Sequence, residues 1–425
     1  MASLSLSTPL RSPLYICHTC RNGLRSLQNA RFVTGRALST ASWFNCDLTT
    51  QPAPLGTRLK RAIAPSKTNN LSVERFTRPR SYSITTPTSH ISKPGIASLP
   101  HRRLICLSGP DAAKFLQGLI TNNVDPSRHA PFYSAFLDAR GRVLWDVFIW
   151  AWPELSATAG KGHWACYIEI DEGEVDALKK HLKRHKLRSK ITIEDVDSEG
   201  QGGVRVWAAW GSTADLLRND DSVPALSDPR APDMYRCLAG TDHVRTQGFV
   251  PLDAKEYHLQ RYQYGIPEGP KEIPRESALP MECNIDLSQG IDFKKGCYVG
   301  QELTIRTKHT GVVRKRVLPI QLYDTGASDT LPESGTDIKQ LDENGGIKKG
   351  RAAGKFIAGI GNVGLALCRL ENMTSMKVSA EGGSWKPGIE FGIQTDGGIV
   401  KVKPVLHEWF VLRERDLWDK KRTRI

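Results

Sequence analysis

Residues 102–107 (RRLICL) alternate in the manner of a strand, and the positions that follow change period. Ser108 is a candidate N-cap, Pro110 suits a first helical turn, and Asp111 stands three residues after the cap. Ala112, Phe115, Leu116, Leu119 and Ile120 then recur at the spacing of one helix face. A hairpin is predicted over 133–152, with its turn at Asp138–Gly141 and a second strand apolar and aromatic enough to be central. The pattern next predicts a strand at 164–170, a helix at 173–186, strands at 190–196 and 203–210, and a helix from about Ser212. The run "HLKRHKLRSK" (181–190) reads as one polar helix face. Residues 218–250 show no regular period, and "DAKEYHLQRYQYG" reads as a helix capped by Asp253 and stopped by Gly265.

From Gly311 the texture becomes short β-rich runs with many glycines, the pattern of a small barrel or sandwich. Two stretches within it, 324–350 and 372–387, are polar and read as solvated loops. The longest nearly unbroken apolar run, "VFIWAW" at 147–152, is far too short to span a bilayer, so no membrane segment is expected.

Composition changes this picture mainly at the N-terminus. The chain has 425 residues and a formal charge of +14, which by itself suggests a nucleic-acid binder. Residues 1–82, however, hold ten Arg and two Lys against only Asp47 and Glu74, a net +10 that leaves +4 for the rest. A leader rich in Arg, Ser and Thr without a long apolar stretch has the composition of a mitochondrial transit peptide. "RPRSYS" (78–83) offers a processing site after Tyr82. A basic tail that binds RNA or acidic lipid is the competing reading; the charge asymmetry favours import. Residues 83–100 read as a linker and 413–425 as a basic tail. Without a basic–aromatic stripe, no nucleic-acid partner is expected.

The nine cysteines include one C-x-x-C, Cys17 and Cys20, and it lies in the leader. The six beyond it are scattered without zinc-like or ferredoxin-like spacing, which points to a reducing compartment and against a self-sufficient cluster site. One of them, Cys297, sits in "KKGCYVGQELT" (294–304), between glycines and after two lysines. Lys294 and Lys295 would favour its thiolate, Gly296 would let a partner approach the sulfur, and Gln301 and Glu302 would anchor the turn or begin a helix. A small residue in a tight turn is the plainer reading.

The run K-G-C-Y-x-G-Q-E (295–302), with P-x-E-x-N-x-D before it (280–286) and R-T-x-H-x-G-V-x-R-K-R after it (306–316), closely resembles the Iba/YgfZ family. That family comprises iron–sulfur cluster assembly factors of the mitochondrial Iba type and Caf-type members, related to the glycine-cleavage T-protein, an aminomethyltransferase. The resemblance implies an α+β fold of T-protein type. Two α+β subdomains over 101–310 would surround a folate-type pocket, and an antiparallel β-barrel over 311–412 would follow, with an insertion loop at 324–350. It also implies a mitochondrial matrix home and a role in maturing [4Fe–4S] enzymes such as aconitase and lipoyl synthase, with A-type scaffold proteins as partners.

By the same resemblance, Lys295, Gly296, Cys297, Tyr298, Gly300, Gln301 and Glu302 occupy motif positions. Glu282, Asn284 and Arg306 would line or rim a pocket for tetrahydrofolate. "SAFLDARGRVLWD" places Asp146 where the T-protein has its catalytic aspartate, although Trp145 replaces a second Asp there. A carboxylate on a central strand is costly unless it is hydrogen-bonded or faces a cavity; a strand-end Asp facing water is the alternative. Three functions follow. The first is an assembly factor in which Cys297 handles a transiently shared iron–sulfur cluster, is a redox thiol or is a nucleophile; Cys297 has no second cysteine at ligand spacing. The second is a folate-dependent one-carbon transferase using Asp146, and the third a pure interaction scaffold. The resemblance implies a transferase-like fold and assigns no reaction.

Overall fold

The computed structural model describes residues 93–422, except 129, 199–202, 219–222, 247 and 325–330; the leader expected over 1–82 lies outside the described residues. Three β-layers follow one another. The first is a five-stranded antiparallel sheet of β2 (Arg102–Ser108), β3 (Phe132–Leu137), β4 (Val143–Trp150), β5 (Ala165–Asp171) and β6 (Thr192–Asp195), in the order β3-β4-β5-β2-β6. The second holds β1 (Gly95–Ser98), β7 (Arg205–Trp210), β8 (Ala225–Ser227) and β9 (Met234–Ala239), in the order β1-β7-β9-β8. Strands β10 (Lys315–Tyr323), β11 (Asp337–Gln340), β12 (Gly354–Ile360), β13 (Val363–Arg369), β14 (Phe391–Thr395) and β15 (Gly398–Pro404) close into a barrel, in the order β10-β13-β12-β11-β14-β15. This is the expected α+β architecture with a C-terminal antiparallel barrel.

The two-residue period decides which side chains go where. On β4, Phe148 and Trp150 join the core shared with Ala208, Trp210 and Met234 of the second sheet. Trp145, Val147 and Ile149 instead pack under α1 (Ala112–Gln117) and α3 (Val175–Lys186), as does Leu144, where the irregular register opposite Phe136 and Leu137 interrupts the alternation. Asp146 has the parity of Phe148 and therefore points between the sheets. The barrel interior is a separate core containing Leu318, Ile320, Phe356, Ile393 and Val402.

Several expectations are corrected. Asp111, not Ser108, caps α1, and it makes no side-chain cap bond; its carboxylate accepts from the Lys190 amide at 2.7 Å. Ser108 is instead the last residue of β2, paired with Ala165 and Thr192. The linker carries β1, an edge strand too short to announce itself. Residues 218–250 hold β8, β9 and α5 (Thr241–Thr246); β9 was hidden because its inward position Arg236 is charged yet fully buried. The loop expected at 324–350 contains β11, which completes the barrel with only Ile338 turned fully inward. The supposed basic tail is part of a helix, Glu408–Arg422, with Trp418 buried against the barrel and its indole N–H donating to Asp286 at 3.0 Å.

Candidate functional site

The stretch 289–300 is laid onto residues 117–122, the turn that leaves α1. Asp292 N donates to Thr121 O at 3.1 Å and Val299 N donates to Gly118 O at 3.1 Å. From the other side, Thr121 Oγ1 donates to Gly290 O at 2.6 Å and Asn122 Nδ2 to Gln289 O at 2.8 Å. Lys295 turns inward. Its ammonium donates to the carbonyls of Gln117, Ile120 and Asn122 at 2.8, 2.7 and 2.7 Å, with the Tyr298 ring 5.0 Å away. Burial pushes this ammonium down to about 7, while Asp292 acts in the opposite sense. Of the two lysines expected to favour the thiolate, Lys295 is thus engaged by the protein's own backbone, while Lys294 is exposed.

The end of the motif is fixed by close approach. Gly300 has φ +80°, and a Cβ there would lie 2.2 Å from Asp138 O and 2.8 Å from Leu137 Cβ. Across the contact, a Cβ on Gly141 (φ +78°) would meet Leu303 Cβ at 2.9 Å. The β3–β4 turn and the start of α7 (Gln301–Thr310) can touch only because both positions lack side chains. Gln301 Oε1 accepts from Tyr298 N at 3.3 Å, and Glu302 occupies the first turn of the helix, as expected of an anchor and a helix start. Cys297 lies at the apex. It is exposed and in no disulfide, whereas Cys106, Cys166, Cys237, Cys283 and Cys368 are all buried. Burial pushes the Cys106 thiol up to about 11 and Cys283 higher still. A Cβ on Gly296 would meet nothing within 4 Å.

The upstream part of the signature does other work. Asn284 (φ +61°) donates to Val317 O at 2.7 Å, Glu282 pairs with Lys315 at 2.7 Å, and Asp286 holds Arg316 bidentately at 2.8 Å with both side chains fully buried. Glu282 and Asn284 therefore fasten β10 of the barrel to the preceding loop. Arg316, which the sequence places in a basic run, is a core residue. Arg306 is exposed on α7.

Asp146 is buried with 3% exposure. Its Oδ1 accepts from Gly269 N at 3.0 Å, and its Oδ2 faces Arg102 Nη1 at 3.5 Å, beyond hydrogen-bond reach. Beside it three guanidinium groups meet three carboxylates. Arg102 and Arg236 bind Glu169 at 2.9 and 2.5 Å; Arg236 and Arg230 bind Glu268 at 3.2 and 2.8 Å; Arg230 also binds Asp228 at 2.8 Å. Tyr257 O–H donates to Glu268 at 2.7 Å and His101 lies 3.0 Å from it. Burial raises Glu268, but Arg236, Arg230 and Arg102 outweigh it and hold the group well below the usual range. Asp146 is the carboxyl left over: burial raises it, and Arg102 does not fully offset this.

The cavities at this centre are small. The cavity against Asp146, lined by Trp145, Ile170, Gly269 and Ile273, has a volume of about 10 Å³. The one lined by Asn284, Cys283, Arg230 and Tyr133 is equally small, about 10 Å³. Each has room for about one water, whereas ligand pockets run to roughly 300 Å³ and above. Around these cavities the space between the sheets is filled by the protein's own arginines and carboxylates.

Cys297 and Asp146 thus belong to different environments, one on the surface over 117–122 and the other inside the inter-sheet core. Sequence reading found both but missed the seat at 117–122 and the buried arginines. The only hint of the latter was a charge at an inward position of an alternating strand, "MYRCLA" (234–239).

Residues 314–410 match the family model described as the C-terminal β-barrel domain of CAF17. The chain is 55% identical over 372 residues to the iron–sulfur cluster assembly factor IBA57 homolog, mitochondrial, of Phaeosphaeria nodorum, covering 84% of this chain and 91% of that protein. It is 41% identical to the protein of the same name from Aspergillus fumigatus, covering 74% and 81%. Among solved structures, glycine cleavage system aminomethyltransferase T from Bartonella henselae superposes with a TM-score of 0.53 at 13% identity, covering 75% of this chain and 87% of that one. That likeness is one of fold.

Proposed function

The chain belongs to the IBA57 family of mitochondrial iron–sulfur cluster assembly factors, and from that premise we propose that Cys297 is the residue through which it handles clusters. One observation carries the reading. Of the described cysteines, Cys297 is the exposed one, and the loop that bears it is pinned at several points to 117–122. A thiol held rigidly at a surface is prepared for a second molecule. Among the described residues, no group of three His, Cys, Asp or Glu is placed to hold a metal. The other ligands of any iron bound here then come from a partner protein.

In this proposal the cluster is cargo. The Cys297 thiol loses its proton to solvent and the thiolate enters the coordination sphere of an iron held by the partner's cysteines. An A-type scaffold supplies those cysteines, and [4Fe–4S] enzymes such as aconitase and lipoyl synthase are the clients. The experiment is anaerobic reconstitution with an A-type scaffold, with native protein and with Cys297→Ser, read by absorption spectroscopy. Aconitase activity and protein lipoylation in cells lacking the native protein provide the second readout. Wild-type levels of both with Cys297→Ser would overturn the reading. The one-carbon transferase alternative is disfavoured by the packing around Asp146, which leaves its carboxyl no room for a pterin.

A further inference from the structure

The carbonyls of Gln117, Ile120 and Asn122 converge on one point, and a single cation occupies it. An ammonium has three N–H donors and no acceptor, so three carbonyls at 2.7–2.8 Å satisfy it completely, whereas a neutral amine would turn a lone pair on one of them; the cage thus favours the charged form against the burial that lowers it. Backbone carbonyls converging in this way also form the coordination shells of potassium and ammonium ions. The position follows from the chain: a short helix ends at Gln117, its last carbonyls lack helical partners, and the turn 118–122 brings two more beside them. Residues 117–122 would repel one another's oxygens without a cation between them.

We propose that Lys295 is a tethered cation whose task is to position Cys297, two residues further on. The proposal rests on Cys297 being the working residue, and it assigns the lysine of the motif to the backbone cage rather than to a ligand or to the thiol. The bonds from Asp292 and Val299 fix the two ends of the segment to the same seat. Lys295 closes the middle, so that the Gly296–Cys297 apex projects from a clamped base. An arginine cannot substitute, because its flat fork spreads donors over a plane instead of directing three at one centre.

The test is made on the full chain. In Lys295→Ala, amide hydrogen exchange over 292–299 should accelerate about ten-fold or more, the effect of losing a charge-assisted bond. Exchange in the barrel strands should stay as in wild type. Alkylation of Cys297 by iodoacetamide, read on its own peptide by mass spectrometry, should change rate in parallel. Added ammonium or potassium chloride, but not the same concentration of tetramethylammonium chloride, should restore both. Lys295→Arg should fail to restore them.

Unchanged exchange and alkylation in Lys295→Ala would overturn the proposal. So would a loss of protection spread evenly over the whole chain and indifferent to the added cation, since that marks general destabilisation. A loosened loop with intact cluster support in cells would leave the cage standing and defeat the reading of Cys297 instead.

Discussion

The loop around Cys297 and the centre around Asp146 treat polar groups in opposite ways. At the centre, Arg102, Arg230, Arg236, Glu169, Glu268 and Asp228 lie at 3% exposure or less, apart from Glu268 at 5%, and are bonded to one another. At the loop, the charged group is spent on backbone carbonyls and the reactive atom is left in solvent. Buried charges that satisfy one another make a strut, because removing any one leaves its partner uncompensated in low dielectric. A thiol exposed on a clamped apex makes a site, because a second molecule can reach the atom that reacts. In this chain the middle of the fold is packed with paired charges, and Cys297 stands outside it.

The sharpest break of this contrast is Arg236→Met. It should cost about 3–5 kcal/mol, the usual price of orphaning a buried carboxylate, measured by urea denaturation. A loss below about 1 kcal/mol would mean that the centre is plastic enough to open for a ligand, and the strut reading would fail.

Gly300→Ala should come next, at about 1–3 kcal/mol, because it adds a strained left-handed alanine to a Cβ placed 2.2 Å from Asp138 O. This substitution also separates the β3–β4 turn from α7. Cys297 alkylation should therefore change with it, whereas it should not change in Arg236→Met measured under folding conditions.

Acid provides a smaller and graded test. Glu169 and Glu268 are held below their ordinary value in the folded state, Glu268 well below. Their contribution is fully present above the unfolded pKa of about 4.3 and is lost progressively as pH falls from there through the lower folded values, by at most about 1.4 kcal/mol per pH unit for each group. Asp146, raised by burial, works the other way: the folded state binds its proton more readily, so acid favours folding at that position. Asp146→Asn removes this opposing effect, and its urea midpoint should fall more steeply than wild type between pH 5 and 3, roughly the range in which carboxyls titrate. An identical slope would place Asp146 in water.

How much of this could be read from the sequence depends on what local pattern can encode. Strands β2 to β7, the helix capped by Asp253 and the barrel texture follow from periodicity and turn residues, which are short-range properties. β9 does not, because Arg236 breaks its alternation and is tolerated through partners far along the chain, Glu169 at 67 residues' separation and Glu268 at 32. The same holds for Arg316, whose partner Asp286 is 30 residues earlier. The motif drew attention to Cys297, but the direction of Lys295 was invisible, since it is set by carbonyls some 175 residues upstream. Partners distant in sequence convert residues that look like surface charges into internal braces.

The smallest effect on stability should come from Gly296→Val, and it sharpens the contrast most. Nothing lies within 4 Å of a Cβ at that position, and its backbone is outside the left-handed region. The thermal midpoint should therefore shift by no more than about 0.5 kcal/mol equivalent, as for most surface changes. Iodoacetamide, a small probe, should still reach Cys297 at close to the wild-type rate. A partner protein presenting a cluster is far larger, and a branched side chain beside the sulfur should hinder its approach, lowering cluster formation on the A-type scaffold and aconitase activity in cells. If Gly296→Val supports both at wild-type levels, the open space beside Cys297 is not an approach route, and the partner must reach the thiol from the Tyr298 side.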